Sequence, residues 1–401
     1  MKIINGSICA PQGFEAQGVD AEIKKKDKKE LAIIYSAKTC NTAGVFTTNK
    51  VRAACIDHCK AKLKDGLAQA IVVNSGNANA CTGEQGIADC RRMADLTAEM
   101  LCINSNDVLV ASTGVIGVNM PMDKIDKAIR EAAVSLSVSG GHNASLAIMT
   151  TDLVNKEIAV EIEIKGFPVR IGAIAKGSGM IHPNMATMLA FVTTDAAVSS
   201  KCLQKIVKNS ADISFNMISV DRDTSTNDML LIMANGMAGN PLIEDAEAED
   251  FQILKEAIDF VNTSLAKMIA RDGEGATRLM EVQVVNAADL ETAKMIARSI
   301  TTSNLTKAAV FGEDANWGRI LAAVGYSGAD FDPNRVDIYL GAEKMAENGM
   351  GLGFDEDKAR AELQKDTVLI TVDLKAGNHG ATAWGCDLSY EYVRINAAYR
   401  T

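Results

Sequence analysis

The sequence predicts a mixed α/β protein, built from α and β layers packed together. Three observations lead there. Short β-branched runs alternate with proline-free amphipathic stretches along the whole chain. No repeat period and no Gly/Ser linker interrupts them. The chain of 401 residues is also too long for one ordinary core, which implies two or three packed units.

In order, Leu31–Tyr35 and Ala70–Asn74 read as buried strands. Glu84–Leu101 and Met122–Leu136 read as amphipathic helices, the second with Pro121 where a first turn tolerates it. Lys156–Lys165 alternates apolar and charged residues and reads as a half-exposed strand. Pro168–Ile174 pairs with it as a hairpin across Gly166-Phe167. Thr187–Thr193 and Asp228–Met233 read as strands, Ser199–Ser210 and Ala246–Ile269 as helices. Strands are then expected at Arg278–Val285, Ala308–Phe311, Val336–Tyr339 and Thr367–Asp373, with helices at Asp289–Ser299 and Glu356–Leu363.

Composition narrows the function. Apolar residues make up 47% of the chain and charged residues 23%, the balance of a folded globular protein. Fifty-one acidic against 41 basic residues give a net charge of −10, which argues against nucleic-acid or anionic-membrane partners. The nine cysteines contain no C-x-x-C pair, so neither a disulfide framework nor a zinc site is indicated. The N-terminal MKIINGSICAPQGF lacks signal-peptide character, and no run is long and apolar enough to span a bilayer. A reduced, cytoplasmic protein is the expectation. The four histidines show no metal-binding spacing, and no organic cofactor or metal is implied.

Two segments carry candidate chemistry. Ser112-Thr113-Gly114-Val115-Ile116-Gly117 follows an apolar run and precedes a helix. A glycine turn there can aim N–H groups at a developing oxyanion, with the Thr113 hydroxyl as a further donor. The same residues also read as an ordinary strand-to-helix turn, the commoner use of such a sequence. The second segment, KGSGMIHPNMATMLAFVTTD (176–195), places Thr187 behind Gly177, Gly179, Pro183 and Asn184. Threonine opening a strand usually serves packing. If the Ala186–Thr187 bond is cut, however, Thr187 carries its own base, because a free α-amine has a pKa of about 7.7–8.0. A strained turn in front of it would permit an N-to-O acyl shift and hydrolysis of the resulting ester.

The run KGSGMIHPNMATMLAFVTTDA resembles the self-processing segment of the ornithine acetyltransferase family, also called the arginine biosynthesis bifunctional protein family. NSGNANACTG (74–83), STGVIG (112–117), AIMTTD (147–152), STNDM (225–229), RDGEGATR (271–278), EDANWGRILAAVGYSG (313–328) and VRINAAYRT (393–401) fit the same family, so the resemblance spans the chain. It implies cleavage into an α chain, 1–186, and a β chain, 187–401. Thr187 would then carry acetyl from N-acetylornithine to glutamate, and Thr113 and Gly114 would form the oxyanion hole. Thr150 (or its neighbour Thr151), Lys176, Thr187, Glu274, Asn396 and Thr401 would contact substrate. An assembly of two α and two β chains is implied too, while acetyl-CoA stays open as a further donor. An N-terminal-nucleophile hydrolase or aminopeptidase is the alternative use of the same threonine. Arg222 departs from the family pattern, which leads one to expect glycine there.

Overall fold

The structure is a computed structural model that describes residues 1–24, 27–182 and 188–398. Its chain divides into two units: residues 1–177, 183–216 and 224–265 form the first, and residues 178–182, 217–223 and 266–401 the second.

The strands of the first unit are β1 (Lys2–Ile4), β2 (Phe14–Asp20), β3 (Lys29–Phe46), β4 (Leu67–Asn74), β5 (Val108–Ser112), β6 (Lys156–Ile164), β7 (Phe167–Lys176) and β8 (Leu189–Thr194). After β9 (Ile218–Ser219), which belongs to the second unit, the last of them is β10 (Met229–Ala234). They form a nine-stranded sheet in the order β1-β6-β7-β8-β10-β3-β4-β5, with β2 paired to β3. Helices α1 (Ala54–Lys62) and α2 (Gly83–Leu101) pack on β5, and α3 (Met122–Val134) packs on α2. Helix α4 (Gly141–Ala147) covers β2 and β3, and α5 (Ser200–Ile213) covers β3 and β10.

Local chemistry explains the boundaries. The β6–β7 hairpin pairs Ile164 with Phe167, so its turn is Lys165-Gly166, both left-handed at φ 51° and 83°. That is one residue earlier than the sequence reading. Ser199 caps α5 by accepting from the Cys202 N–H at 3.3 Å. The strand after position 187 begins, among the described residues, at Leu189. All six of its residues are buried between antiparallel β7 and parallel β10, the burial on both faces that parallel pairing demands.

The long helix α6 (Glu249–Arg271) has residues in both units. The second unit holds β11 (Leu279–Ala287), β12 (Asp337–Leu340), β13 (Glu343–Glu347), β14 (Met350–Gly351), β15 (Thr367–Asp373) and β16 (His379–Cys386). Their sheet runs β14-β13-β12-β15-β11-β16-β9. Helix α7 (Leu290–Thr301), capped by Asp289, packs on β11 and β16. Helices α8 (Asn304–Phe311), α9 (Trp317–Gly325), α10 (Glu356–Leu363) and α11 (Tyr390–Ala397) complete it.

One expected strand is a helix. Ala308–Phe311 forms the last turn of α8, whose start is fixed by Ser303 accepting from the Thr306 N–H at 3.2 Å. A four-residue apolar run carries no period of its own, and the cap three residues before Thr306 decides between the two states.

The glycine expected at position 222 has a structural reason. Arg222 has φ 72°, in the left-handed region where a Cβ is strained. Arg222→Gly should therefore raise stability by about 1 kcal/mol, less the backbone entropy glycine adds to the unfolded chain. A lower urea midpoint for this variant would show that the arginine side chain more than offsets its backbone strain.

Candidate active site

The candidate residues fall into two groups, one in each unit. In the first unit, Thr113 and Gly114 follow directly on β5 and are half-buried. The Thr113 N–H donates to the Asn74 carbonyl at 3.0 Å and is therefore committed. Among the described residues, no hydrogen bond takes the Thr113 hydroxyl or the Gly114 N–H. Those two groups are the donors left at this turn. Gly114 has φ 138°, and a Cβ there would lie 2.2 Å from the Gly76 carbonyl carbon and 2.4 Å from the Asn77 nitrogen. Only glycine fits.

Buried asparagines hold this turn. Asn77 donates to the Val118 and Asn119 carbonyls at 3.1 and 3.2 Å and accepts from the Asn79 N–H at 2.8 Å. Asn74 donates to the Asn77 carbonyl at 2.9 Å. Asn227, 4% exposed, donates to the Ala78 and Ser112 carbonyls at 2.6 and 2.7 Å, so it clamps both strands of the turn. Sequence reading assigned Asn227 no role. A polar side chain beside a wholly buried strand is the signal that could have found it.

Thr150 and Lys176 come together around one carboxylate. Asp152 accepts from the Thr150 N–H at 3.0 Å, the Gly177 N–H at 2.7 Å and the Lys156 ammonium at 2.8 Å. Lys28 donates to the Thr150 carbonyl at 3.0 Å, so the backbone of that threonine is held from both sides. Burial alone would raise the Asp152 pKa, but Lys176 and Lys156 hold it below the usual carboxylate range.

In the second unit, buried Glu274 accepts from the Asn396 amide at 2.8 Å. Its N–H donates to the Ser178 carbonyl at 2.9 Å, and the Ser178 hydroxyl returns a bond to the Asp272 carbonyl at 2.7 Å. A Cβ at Gly179 would sit 2.3 Å from the Glu274 carboxyl carbon, so the Gly-Ser-Gly run makes room for that carboxylate. Tyr392, whose carbonyl accepts from Asn396 at 3.0 Å, has its phenol pushed up by burial and by Asp221, Asp223 and Glu274.

His182 forms a relay in the same unit. Arg298 donates to its Nε2 at 3.3 Å, so Nδ1 bears the proton and donates to the Ser219 hydroxyl at 3.2 Å. Ser219 in turn bonds the Ile181 carbonyl at 3.3 Å. These contacts give His182 a structural place between Arg298 and Ser219. Ala186, Thr187 and Thr401 lie outside the described residues. Among the described residues, no group of His, Cys, Asp or Glu is arranged to hold a metal ion, and no helix is long and apolar enough to cross a membrane.

These features fit a mixed α/β enzyme of the acyl-transfer kind, with two hydrogen-bond donors left on a glycine turn and buried charged groups at Asp152, Lys176 and Glu274. The chain belongs to the ArgJ family, whose model matches residues 15–401. It is 55% identical over 405 residues to the arginine biosynthesis bifunctional protein ArgJ of Caldanaerobacter subterraneus subsp. tengcongensis, covering 100% of both chains. To the ArgJ of Symbiobacterium thermophilum it is 55% identical over 403 residues, again across 100% of both. The crystal structure of the Bacillus halodurans ArgJ superposes with a TM-score of 0.52 at 47% identity. That match covers 53% of this chain and 100% of the other.

The His182 relay has a pH consequence. Burial, Arg298 and Arg222 push its pKa from 6.5 down to about 4. The unfolded chain thus takes up a proton before the folded one does, and stability present above pH 6.5 is lost as pH falls toward 4. His182→Gln should narrow its stability gap to the parent protein through that window. Urea midpoints that keep a constant gap across it would contradict this.

Proposed function

We propose that the protein is a glutamate N-acetyltransferase of arginine biosynthesis, moving acetyl from N2-acetyl-L-ornithine to L-glutamate through acetyl-Thr187. The observation that carries the proposal is the family match over residues 15–401, together with a Gly114 position that admits no side chain.

The chemistry begins with processing. The Thr187 hydroxyl attacks the Ala186 carbonyl, the peptide C–N bond gives way to an ester, and water opens the ester. Residues 1–186 form the α chain and 187–401 the β chain. In support, the solved Bacillus halodurans chain is matched in full by a little over half of this one, the share that residues 187–401 make up.

In the transfer, the free α-amine of Thr187 takes the hydroxyl proton as oxygen attacks the acetyl carbonyl. The Gly114 N–H and the Thr113 hydroxyl receive the oxyanion. The tetrahedral intermediate collapses, the bond to the ornithine nitrogen breaks, and ornithine leaves with the proton. The glutamate amine then attacks acetyl-Thr187 in reverse, forming N-acetylglutamate and restoring the threonine. Lys176 holds a substrate carboxylate and Glu274 an ammonium. Thr150, Asn396 and the Thr401 terminus are further contacts. Acetyl-CoA is a second donor on this reading, which the word "bifunctional" in the relatives' names supports. The chains assemble as two α and two β in the cytoplasm, without a resident cofactor.

Intact mass should show two chains for the parent protein, and one near 42.6 kDa for Thr187→Ala. That variant should also form no N-acetylglutamate from N-acetylornithine. Cleavage or transfer surviving the substitution would sink the proposal. Free acetate formed in place of N-acetylglutamate would indicate a hydrolase, and glutamate with acetyl-CoA alone tests the second donor.

The strand register adds an expectation. Because β7 precedes the cut and β8 follows it, paired from Ile171↔Thr194 to Lys176↔Leu189, the two chains should co-elute in native gel filtration. Separation without denaturant would contradict that pairing in the mature enzyme.

A further inference from the structure

We infer that Asp152 is a positioning residue for substrate binding, its carboxylate setting the place of Lys176–Gly177 and of Thr150. The inference rests on the reading above that Lys176 and Thr150 meet the amino-acid substrate.

Three elements converge on this carboxylate: the loop after α4, the first residue of β6, and the end of β7. Oδ1 accepts from the Lys156 ammonium at 2.8 Å and the Gly177 N–H at 2.7 Å, and Oδ2 accepts from the Thr150 N–H at 3.0 Å. The Asp152 and Lys156 side chains are both fully buried, and Lys156 also donates to the Val154 carbonyl at 3.1 Å. Lys176 is 7% exposed, and its charge acts on the same carboxylate.

An ion pair of this kind is a poor device for stability alone, since apolar side chains of similar size often do as well. Orienting two backbone N–H groups and the Lys156 ammonium at once, beside the Lys176 charge, requires an anion with two oxygens. Asparagine has one acceptor oxygen, and its NH2 would face a donor whichever way it turned. Its neutral amide would also remove the negative charge that faces both Lys156 and Lys176. A buried ammonium that loses a neighbouring negative charge gives up its proton at lower pH.

The pH window for carboxylate binding should therefore move. The full-length protein is assayed for N-acetylglutamate formation as a function of pH, with intact mass recording its processing. Four forms are compared: the parent, Asp152→Asn, Asp152→Asn/Lys156→Met, and Lys176→Met. The double variant removes the second buried charge, so it keeps the test valid where Asp152→Asn alone fails to fold. In the double variant KM for glutamate should rise about tenfold while kcat changes by less than about threefold. The alkaline limb of its kcat/KM profile should fall by about one pH unit. A merely structural role would leave that limb in place. Parental KM and an unmoved limb in the double variant, with KM raised in Lys176→Met, would overturn the inference alone. An unchanged KM in Lys176→Met would instead overturn the substrate-site reading beneath it.

Discussion

The constraint on which the first unit depends is the double pairing of strand β8. Its six residues, Leu189–Thr194, are wholly buried and bonded along one edge to β7 and along the other to β10. A one-residue slip of a strand in that position would exchange the side chains of its two buried faces. The connection that precedes it is consequently pinned at both ends, at Lys176 and at Leu189. Of the described residues between those ends, 177–182 and 188, none serves a ladder in the nine-stranded sheet. Gly177 and Gly179 would weaken a strand, and outside the ladders they cost this sheet nothing.

A second layer of order comes from polar side chains buried at strand ends. Asn74, Asn77, Asn79 and Asn227 spend their amides on carbonyls and N–H groups of the segments at 74–86 and 112–119. Backbone that leaves a sheet must find partners elsewhere, and here side chains supply them. Such networks are rigid because each missing bond exposes a desolvated group to its full cost. Not every group is satisfied: the Ser112 hydroxyl and the Asn74 amide oxygen are buried without a partner among the described residues. Both lie next to the turn that carries Thr113 and Gly114.

Much of the fold was legible because apolar periodicity reports burial. The elements at Glu356–Leu363 and Thr367–Asp373 coincide with the sequence reading, and the helices after Ser199 and Asp289 begin one residue later because those residues are caps. Four other short helices were not legible. Ala54–Lys62, Gly141–Ala147, Trp317–Gly325 and Tyr390–Ala397 run for two to three turns, too short for a period to stand out, and tertiary packing or a cap supplies what local pattern does not. The site was legible in part for a different reason. The glycine turn that holds Gly114 stood out by its place after an apolar run, whereas Glu274 and Asn396 were named through a family resemblance, and nothing in composition or spacing would have singled them out. What no sequence pattern carries is the convergence of Thr150, Lys156 and Gly177 on Asp152, since it depends on three segments meeting in space.

That convergence bears on how the protein spends its buried charge. A carboxylate and an ammonium both removed from water recover in mutual attraction roughly what they lose in hydration, so the pair Asp152–Lys156 adds little net stability. Replacing it with apolar side chains would leave the sheet intact. It would also leave the Thr150 and Gly177 N–H groups without an acceptor, at a cost of about 1–3 kcal/mol for each buried group. The value of the pair therefore lies in what the carboxylate holds besides the lysine. Its two oxygens fix the backbone at the end of β7, where the chain leaves the sheet, and at the loop that follows α4. Position, more than stability, is what this buried charge supplies.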